Sequence, residues 1–228
     1  MRSRLLSALV ALLSVSFGQT GPAFEVATIK PHDLQSPITI ASGYSPLRFT
    51  ATGTLRDLLR MAYGIQDSQI SGGPGWLQSD RFDIEARPQQ LANADQHRVM
   101  LRTLLADRFK LALHHESREL SVYALAAARS GSKLGAAPQD ATSITTGAAR
   151  ISGRFPLSDL ARYLSQTLGR TVVDQTGLAG VFEIKLEWMP DEESLFTAIQ
   201  EQLGLRLEPA KEAVDVLVID HVEKPSGN

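Results

Sequence analysis

One short pattern occurs twice in this 228-residue chain and constrains its fold more than any other feature. Leu55-Arg56-Asp57-Leu58 has a counterpart in Leu157-Ser158-Asp159-Leu160, and each pattern begins a stretch with helical apolar spacing. A strand-like alternation reaches Phe82 27 residues after the first pattern begins, and Phe182 25 residues after the second begins. The sequence therefore indicates an ancient duplication of one strand–helix–strand–helix–hairpin unit. Coincidence between two generic α+β patterns is the alternative.

The first half carries local signals for strands and capped helices. Thr54 and Asp57 have the spacing of a capping-box variant, and Gly64 can end the helix that Thr54 starts. Alternating apolar residues predict strands at residues 24–29, 47–51, 81–86 and 109–113, the last turning through 115–119 into a further strand at 122–128. A second helix is predicted over residues 94–106.

The second half repeats this order after a stretch rich in Gly, Ala, Ser and Thr. Pro156 suits the first turn of a helix, and Gly169 can cap its end. A strand is predicted over residues 181–187. Asp191 can cap a further helix that Gly204 ends, and residues 205–208 and 214–220 are predicted to close a hairpin.

These signals predict an α+β fold of two tandem similar modules, each a small sheet packed by two helices. The boundaries are residues 24–128 for the first module and 150–222 for the second. Residues 129–149 have no usable periodicity and are interpreted as a linker, and residues 223–228 as a polar tail.

The N-terminus has the layout of a secretory signal peptide. Arg2 and Arg4 precede an apolar run over residues 5–17 that is too short to span a bilayer, and small residues follow. We expect cleavage after Gly18, with a buried N-terminal helix as the alternative. The chain is then expected to be exported, periplasmic or extracellular, without a transmembrane anchor.

Composition bounds the chemistry and the partners. The chain has no cysteine, so neither a disulfide nor a thiol nucleophile is available. Removal of residues 1–18 takes away two basic residues, which changes the formal charge from −2 to −4 (21 basic and 25 acidic residues). A mildly acidic chain without a basic run is not expected to bind nucleic acid.

Several stretches of the chain are distinctive, and the clearest are Phe24-Glu25-Val26-Ala27-Thr28-Ile29-Lys30-Pro31, Ile70-Ser71-Gly72-Gly73-Pro74-Gly75-Trp76-Leu77, Leu104-Leu105-Ala106-Asp107-Arg108-Phe109-Lys110-Leu111 and Val173-Asp174-Gln175-Thr176-Gly177-Leu178. Together they resemble a family of soil-associated exported proteins of unknown function that is abundant in acidobacteria. The resemblance extends over essentially the whole mature chain, with Ser121 where that family usually has proline. More faintly, each half is similar to the short N-terminal module of secretins and TonB-dependent transducers, which binds other proteins.

Candidate binding residues come from three places in the sequence. Trp76 follows a Gly/Pro turn and could stack on a ligand, although a core or rim aromatic is the plainer interpretation. Asp80-Arg81 and Asp107-Arg108 each place an acid–base pair before a strand, as structural ion pairs or partner contacts. Asp215 lies in residues 214–220, which could form a sheet edge that accepts a partner strand, or a buried central strand.

No cofactor, metal ligand set or catalytic residue is predicted. His115 and Glu116 begin like a zinc-peptidase motif, but Glu119 stands where the second histidine is required, and a solvated turn is expected there. The predicted function is non-enzymatic binding or protein interaction with an unknown envelope protein or peptide, in signalling or assembly. The alternative is a periplasmic hydrolase with a site assembled from dispersed residues such as His114, Asp83 and Glu85.

Overall fold

The computed structural model describes residues 22–33, 43–139 and 142–225, and the predicted signal peptide with its cleavage site lies outside them. The fold is of the mixed α+β type. Its helices are α1 (Leu55–Tyr63), α2 (Trp76–Ser79), α3 (Ala94–Arg108), α4 (Leu157–Leu168) and α5 (Glu192–Ala198), which a π-helical turn over Ile199–Leu203 continues. Its strands are β1 (Phe24–Pro31), β2 (Gly43–Ser45), β3 (Arg48–Thr54), β4 (Ile70–Gly72), β5 (Arg81–Pro88), β6 (Ala112–Ala127), β7 (Gly135–Ala137), β8 (Ser143–Gly147), β9 (Arg150–Pro156), β10 (Val172–Asp174), β11 (Val181–Glu187) and β12 (Leu205–His221).

The first half builds an antiparallel sheet with the strand order β1-β5-β3-β2. Along β5, Phe82 and Ile84 point into the core, while Asp83 and Glu85 lie on the opposite face, as the alternation predicts. The capping box at Thr54 and Asp57 is present at the start of α1. These local predictions are confirmed. Each depends only on residues close together in the sequence, and for that reason a sequence pattern can predict it.

The second half builds a sheet of the same kind, with the order β7-β11-β9-β8. Pro156 is the N-cap of α4, and Gly169 ends that helix in the left-handed conformation. Asp191 accepts a hydrogen bond from the backbone N–H of Ser194 at the start of α5. The strands β7 and β8 lie within the stretch interpreted as a linker, where they pair with β11 and β9.

The predicted hairpins at 109–128 and 205–220 are wrong. Residues 112–127 form one long strand, β6, and residues 205–221 form another, β12, and the two pair antiparallel along almost their whole length. The physical reason is that residues 115–119 contain no glycine, asparagine or proline to turn the chain, and their alternation continues without a break.

The central sheet has the order β10-β6-β12-β4 and joins the two halves. The short strand β4 of the first half pairs parallel with β12 of the second, and β10 of the second half pairs parallel with β6 of the first. Apart from the short helix α2 between β4 and β5, the order β3-α1-β4-β5-α3-β6 is thus repeated as β9-α4-β10-β11-α5-β12. The halves are not two closed modules, however, because they exchange strands.

Each half has its own apolar core. One core includes Leu58, Phe82 and Phe109, and the other includes Leu160, Ile184 and Leu203. A smaller cluster around Val122, Val214 and Val216 lies on the central sheet. No helix in the described part of the chain is long and apolar enough to cross a membrane.

Candidate functional site

A cleft with four arginines lies where α1 and α4 approach each other. Its volume is about 720 Å³, within the usual range of small-ligand sites. One carboxylate, that of Asp57, lines it together with the four guanidinium groups. Three of the arginines pair with an aspartate on their own helix, and Arg81 adds a further positive charge. The lining residues are Thr52, Gly53, Asp57, Arg60, Met61, Gly64, Ile65, Arg81, Arg98, Arg162 and Gln166.

The duplicated helical pattern places two of these arginines. Arg60 follows Asp57 on α1 by three residues, and Arg162 follows Asp159 on α4 by three residues, so each pair faces the same side of its helix. The distance between the charged atoms is 3.6 Å in the first pair and 2.6 Å in the second. Each aspartate therefore holds its arginine near the cleft while leaving other guanidinium N–H groups available.

A glycine lies where the end of α1 comes near an arginine of the second half. Gly64 ends α1 with a φ of 67°, and a Cβ atom added there would lie 3.4 Å from Cδ of Arg162. Glycine adopts this left-handed conformation without the steric cost that other residues incur. Gly64 thus ends the helix beside the arginine from the other half.

Arg98 and Arg81 complete the positive lining. Arg98 on α3 forms an ion pair of 2.6 Å with Asp95, one turn earlier on the same helix. Arg81 begins β5, and among the described residues it has no carboxylate partner. The Nε atom of Arg60 is buried, and the described residues provide no hydrogen-bond partner for it.

A hydrogen-bonded chain leads from the cleft into the outer face of the first sheet. Thr52 lines the cleft and donates a hydrogen bond of 2.7 Å to Asp83. Nδ1 of His32 lies 2.9 Å from the same carboxylate, and the His32 side chain is only 5% exposed. The Asp83 carboxylate therefore links the other two groups and fixes the orientation of the Thr52 hydroxyl.

The C-terminal tail covers two of the predicted binding residues. Nζ of Lys224 lies 2.6 Å from the Asp80 carboxylate and 5.7 Å from the centroid of the Trp76 ring. The hydrogen bond from Lys224 lowers the pKa of Asp80, with a further contribution from Ser79. Trp76 also packs against the first core, stacked on Phe109, which agrees with its interpretation as a rim aromatic.

Asp107 and Arg108 form contacts at the end of α3 and do not line the cleft. Arg108 donates a hydrogen bond of 3.2 Å to the carbonyl oxygen of Ala27 on β1. Its Nε lies 3.8 Å from Asp107, and Lys110 lies 3.9 Å from the same carboxylate. These contacts tie the helix end to the first sheet.

Residues 214–220, for which the sequence left a docking edge and a buried central strand as alternatives, belong to the central strand β12. β12 pairs with β6 on one side and, over Leu217 to Ile219, with β4 on the other. Val214 and Val216 are buried, as the alternative interpretation predicts. The carbonyl oxygen of Asp215 accepts a hydrogen bond from Gln69, and its carboxylate lies 2.7 Å from Nδ1 of His115.

The expected turn around His115 and Glu116 is wrong, since both residues lie inside β6. A polar network covers this part of the strand instead. His114 contacts Glu116 at 3.0 Å and Asp220 at 2.7 Å, and Glu116 pairs with Arg118 at 2.6 Å. Hydrogen bonding to Glu116, and then to Asp220, raises the pKa of His114.

The residues named for a hydrolase site have separate surroundings. His114 contacts Glu116 and Asp220, whereas Asp83 contacts His32 and Thr52, and Glu85 pairs with Arg48 at 3.2 Å. Within the described ranges, no group of histidine and acidic side chains has the arrangement needed to hold a metal ion.

Sequence reasoning included Arg81 among the candidates but missed Arg60, Arg98 and Arg162. A signal for two of them was present. The spacing that separates Asp57 from Asp159 also separates Arg60 from Arg162, so the duplicated pattern extends to Asp-x-x-Arg. Only the tertiary structure shows that the two arginines line the same cleft.

Comparison with known proteins places the chain in a family. No curated protein and no solved structure matches it. Residues 56–222, which include α4, most of α1 and all four arginines of the cleft, match DUF3738, described as a protein of unknown function. The chain therefore belongs to the DUF3738 family.

Proposed function

We propose that this protein is an exported, non-enzymatic binding protein that takes up an anionic ligand in the arginine cleft between its two halves. The observation that carries the proposal is the presence of four guanidinium groups and a single carboxylate around one cleft of about 720 Å³. The recognised chemistry is a carboxylate, phosphate or sulfate group.

Arginine is suited to this task because its planar fork donates two parallel hydrogen bonds to a carboxylate or phosphate. Arg81 has no carboxylate partner in the described part of the chain, so its guanidinium group is the one with which an anionic ligand would form an ion pair. Arg60, Arg98 and Arg162 are each held by an aspartate, which reduces the side-chain entropy lost on binding. Positive charge in a concave site also raises the local concentration of anions.

Because residues of both halves line the cleft, a ligand would bind there only while the two halves are associated. The faint similarity of each half to protein-binding modules of envelope machinery agrees with a role in envelope signalling or assembly. The ligand would then be an acidic small molecule or an acidic group on a larger envelope component.

A thermal-shift titration tests the proposal. Citrate, inorganic phosphate, sulfate and a galacturonic acid oligomer are compared at constant ionic strength, since a ligand that binds only the folded state raises its melting temperature. We expect Arg81→Gln to abolish the shift that the best anion produces. Arg48→Gln is the matched control, because Arg48 forms a surface ion pair with Glu85 outside the cleft. If no anion stabilises the protein, or if both variants respond alike, the proposal is wrong.

A further inference from the structure

The outer edge of β6 is open over residues 113–119. On that side, the one strand that the described residues place beside β6 is β10, which pairs with Tyr123, Ala124 and Leu125. In the described part of the chain, no strand lies alongside the preceding residues of β6. An open edge of this length offers unpaired N–H and C=O groups to another strand.

The backbone hydrogen bonds identify which residues of β6 face this edge. The N–H of Tyr123 donates to the carbonyl oxygen of Thr171, and the carbonyl oxygen of Leu125 accepts from Gln175. Backbone groups of alternate residues point to the same side of a strand. The odd-numbered residues, including His115, Ser117 and Glu119, therefore present their backbone groups to the open edge, and the even-numbered residues pair with β12.

The corresponding edge of β12 is protected. Pro209 lies at an outward-facing position of β12, opposite Tyr123 in the ladder, and it has no N–H to donate. β4 pairs with this edge over Leu217 to Ile219, and the side chain of Gln69 donates a hydrogen bond to the carbonyl oxygen of Asp215. The edge of β6 contains no proline over residues 113–119, so it is the edge able to accept a strand.

We propose that two copies of this chain associate through the open edge of β6, antiparallel and centred on Ser117. Such pairing continues the four-stranded central sheet of one copy into that of the other. Ser117 of each copy exchanges both backbone hydrogen bonds with Ser117 of the second copy.

The charges on β6 select this register over its neighbours. Centring on Ser117 places Glu116 opposite Arg118 of the second copy, at a non-hydrogen-bonded position where side chains lie close together. It also places His115 opposite Glu119 of the second copy. A register centred on residue 116 would place Glu116 directly opposite Glu116 of the second copy. A register centred on residue 118 would place Arg118 directly opposite Arg118 of the second copy. Like charges directly opposite each other destabilise a strand pair.

The participating side chains are accessible and already arranged. Glu116 and Arg118 are 42% and 41% exposed, and they form an ion pair of 2.6 Å within one chain. Arg118 is also anchored by a hydrogen bond of 2.8 Å to Ser71 on β4. In the dimer, the two glutamates and two arginines form one network of alternating charge around the twofold axis.

Charge reversal combined with analytical ultracentrifugation tests the proposal. The wild-type protein should show a concentration-dependent dimer. Glu116→Arg and Arg118→Glu should each raise the dimer dissociation constant by about tenfold or more, since two attractive pairs become repulsive. An equimolar mixture of the two variants should dimerise again, because the arginine introduced by the first substitution then faces the glutamate introduced by the second. Circular dichroism confirms that each variant is folded.

A second pair of variants tests the backbone contribution. Ser117→Pro removes the outward N–H at the centre of the proposed interface and should also abolish the dimer. Lys211→Pro is the matched control, because Lys211 occupies the equivalent outward position on β12 and lies outside the interface. A wild-type protein that remains monomeric up to about 100 μM overturns the proposal. So does a dimer that the single charge reversals leave unchanged.

Discussion

Lys224 in the C-terminal tail bonds to Asp80 at a distance of 2.6 Å, which fastens the last described residues of the chain to the loop before β5. The neighbouring Glu223 donates its backbone N–H to the carbonyl oxygen of Phe109, and Val222 packs against the first core. The tail, which the sequence predicts only to be polar, is therefore attached to the first half. We call this contact of residues 222–224 the C-terminal clasp.

We expect a chain that ends after residue 221 to lose about 1 to 2 kcal/mol of its free energy of unfolding, from one backbone hydrogen bond and part of the Val222 side chain. Lys224→Ala should cost much less, because it removes only exposed contacts. Urea denaturation measures both. The fluorescence of Trp76 should change in either variant, whereas that of Trp188 in the second half should not. Equal stability of the truncated and full chains would refute the C-terminal clasp.

A second prediction concerns pH. Hydrogen bonds to Glu116 and Asp220 raise the pKa of His114 in the folded state above its ordinary value near 6.5. The stabilisation from the protonated ring is therefore fully present below that value, and it is lost as the pH rises through the folded-state pKa. The free energy of unfolding should fall over this interval. His114→Gln should remove this dependence, and His115→Gln, which leaves the His114 network intact, should retain it.

Gly64 and Gly169 allow a paired test of the cleft. Both end helices in the left-handed conformation, with φ values of 67° and 62°, so alanine should cost about 1 kcal/mol at either position. Only at Gly64 would the new Cβ lie near Arg162, at 3.4 Å from Cδ, while the space around Gly169 is open. Gly64→Ala should therefore also weaken anion binding, as measured by isothermal titration calorimetry. If Gly169→Ala weakens it equally, the contact with Arg162 is not the cause.

The features that sequence reasoning predicted well are those with local causes. The capping box at Thr54, the left-handed Gly64 and the alternation along β5 each depend on residues a few positions apart. The pairing of β6 with β12 and the exchange of β4 and β10 depend on register between distant segments, which periodicity does not contain. For the same reason the presence of Arg60 and Arg162 in one cleft could not be predicted, although their equal spacing from the duplicated aspartates was visible.

The exchanged strands lead to a last prediction, on the cooperativity of folding. Since β4 pairs with the second half and β10 with the first, neither half completes its hydrogen bonding alone. Leu58 and Leu160 are fully buried equivalents in the two cores, and replacing either with alanine should cost about 2 to 5 kcal/mol. Trp76 lies against the first core and Trp188 against the second, so each tryptophan reports on one half.

In urea, both tryptophans should show one coincident transition in the wild-type protein, the test of two-state unfolding. Trp76→Phe and Trp188→Phe variants separate the two fluorescence signals. Leu58→Ala should lower the urea midpoint reported by Trp188 as much as the midpoint reported by Trp76. Leu160→Ala, in the other half, should likewise lower both midpoints by the same amount. Two separate transitions, each shifted only by the leucine in its own half, would instead show independent modules, and the strand exchange would then contribute little to stability.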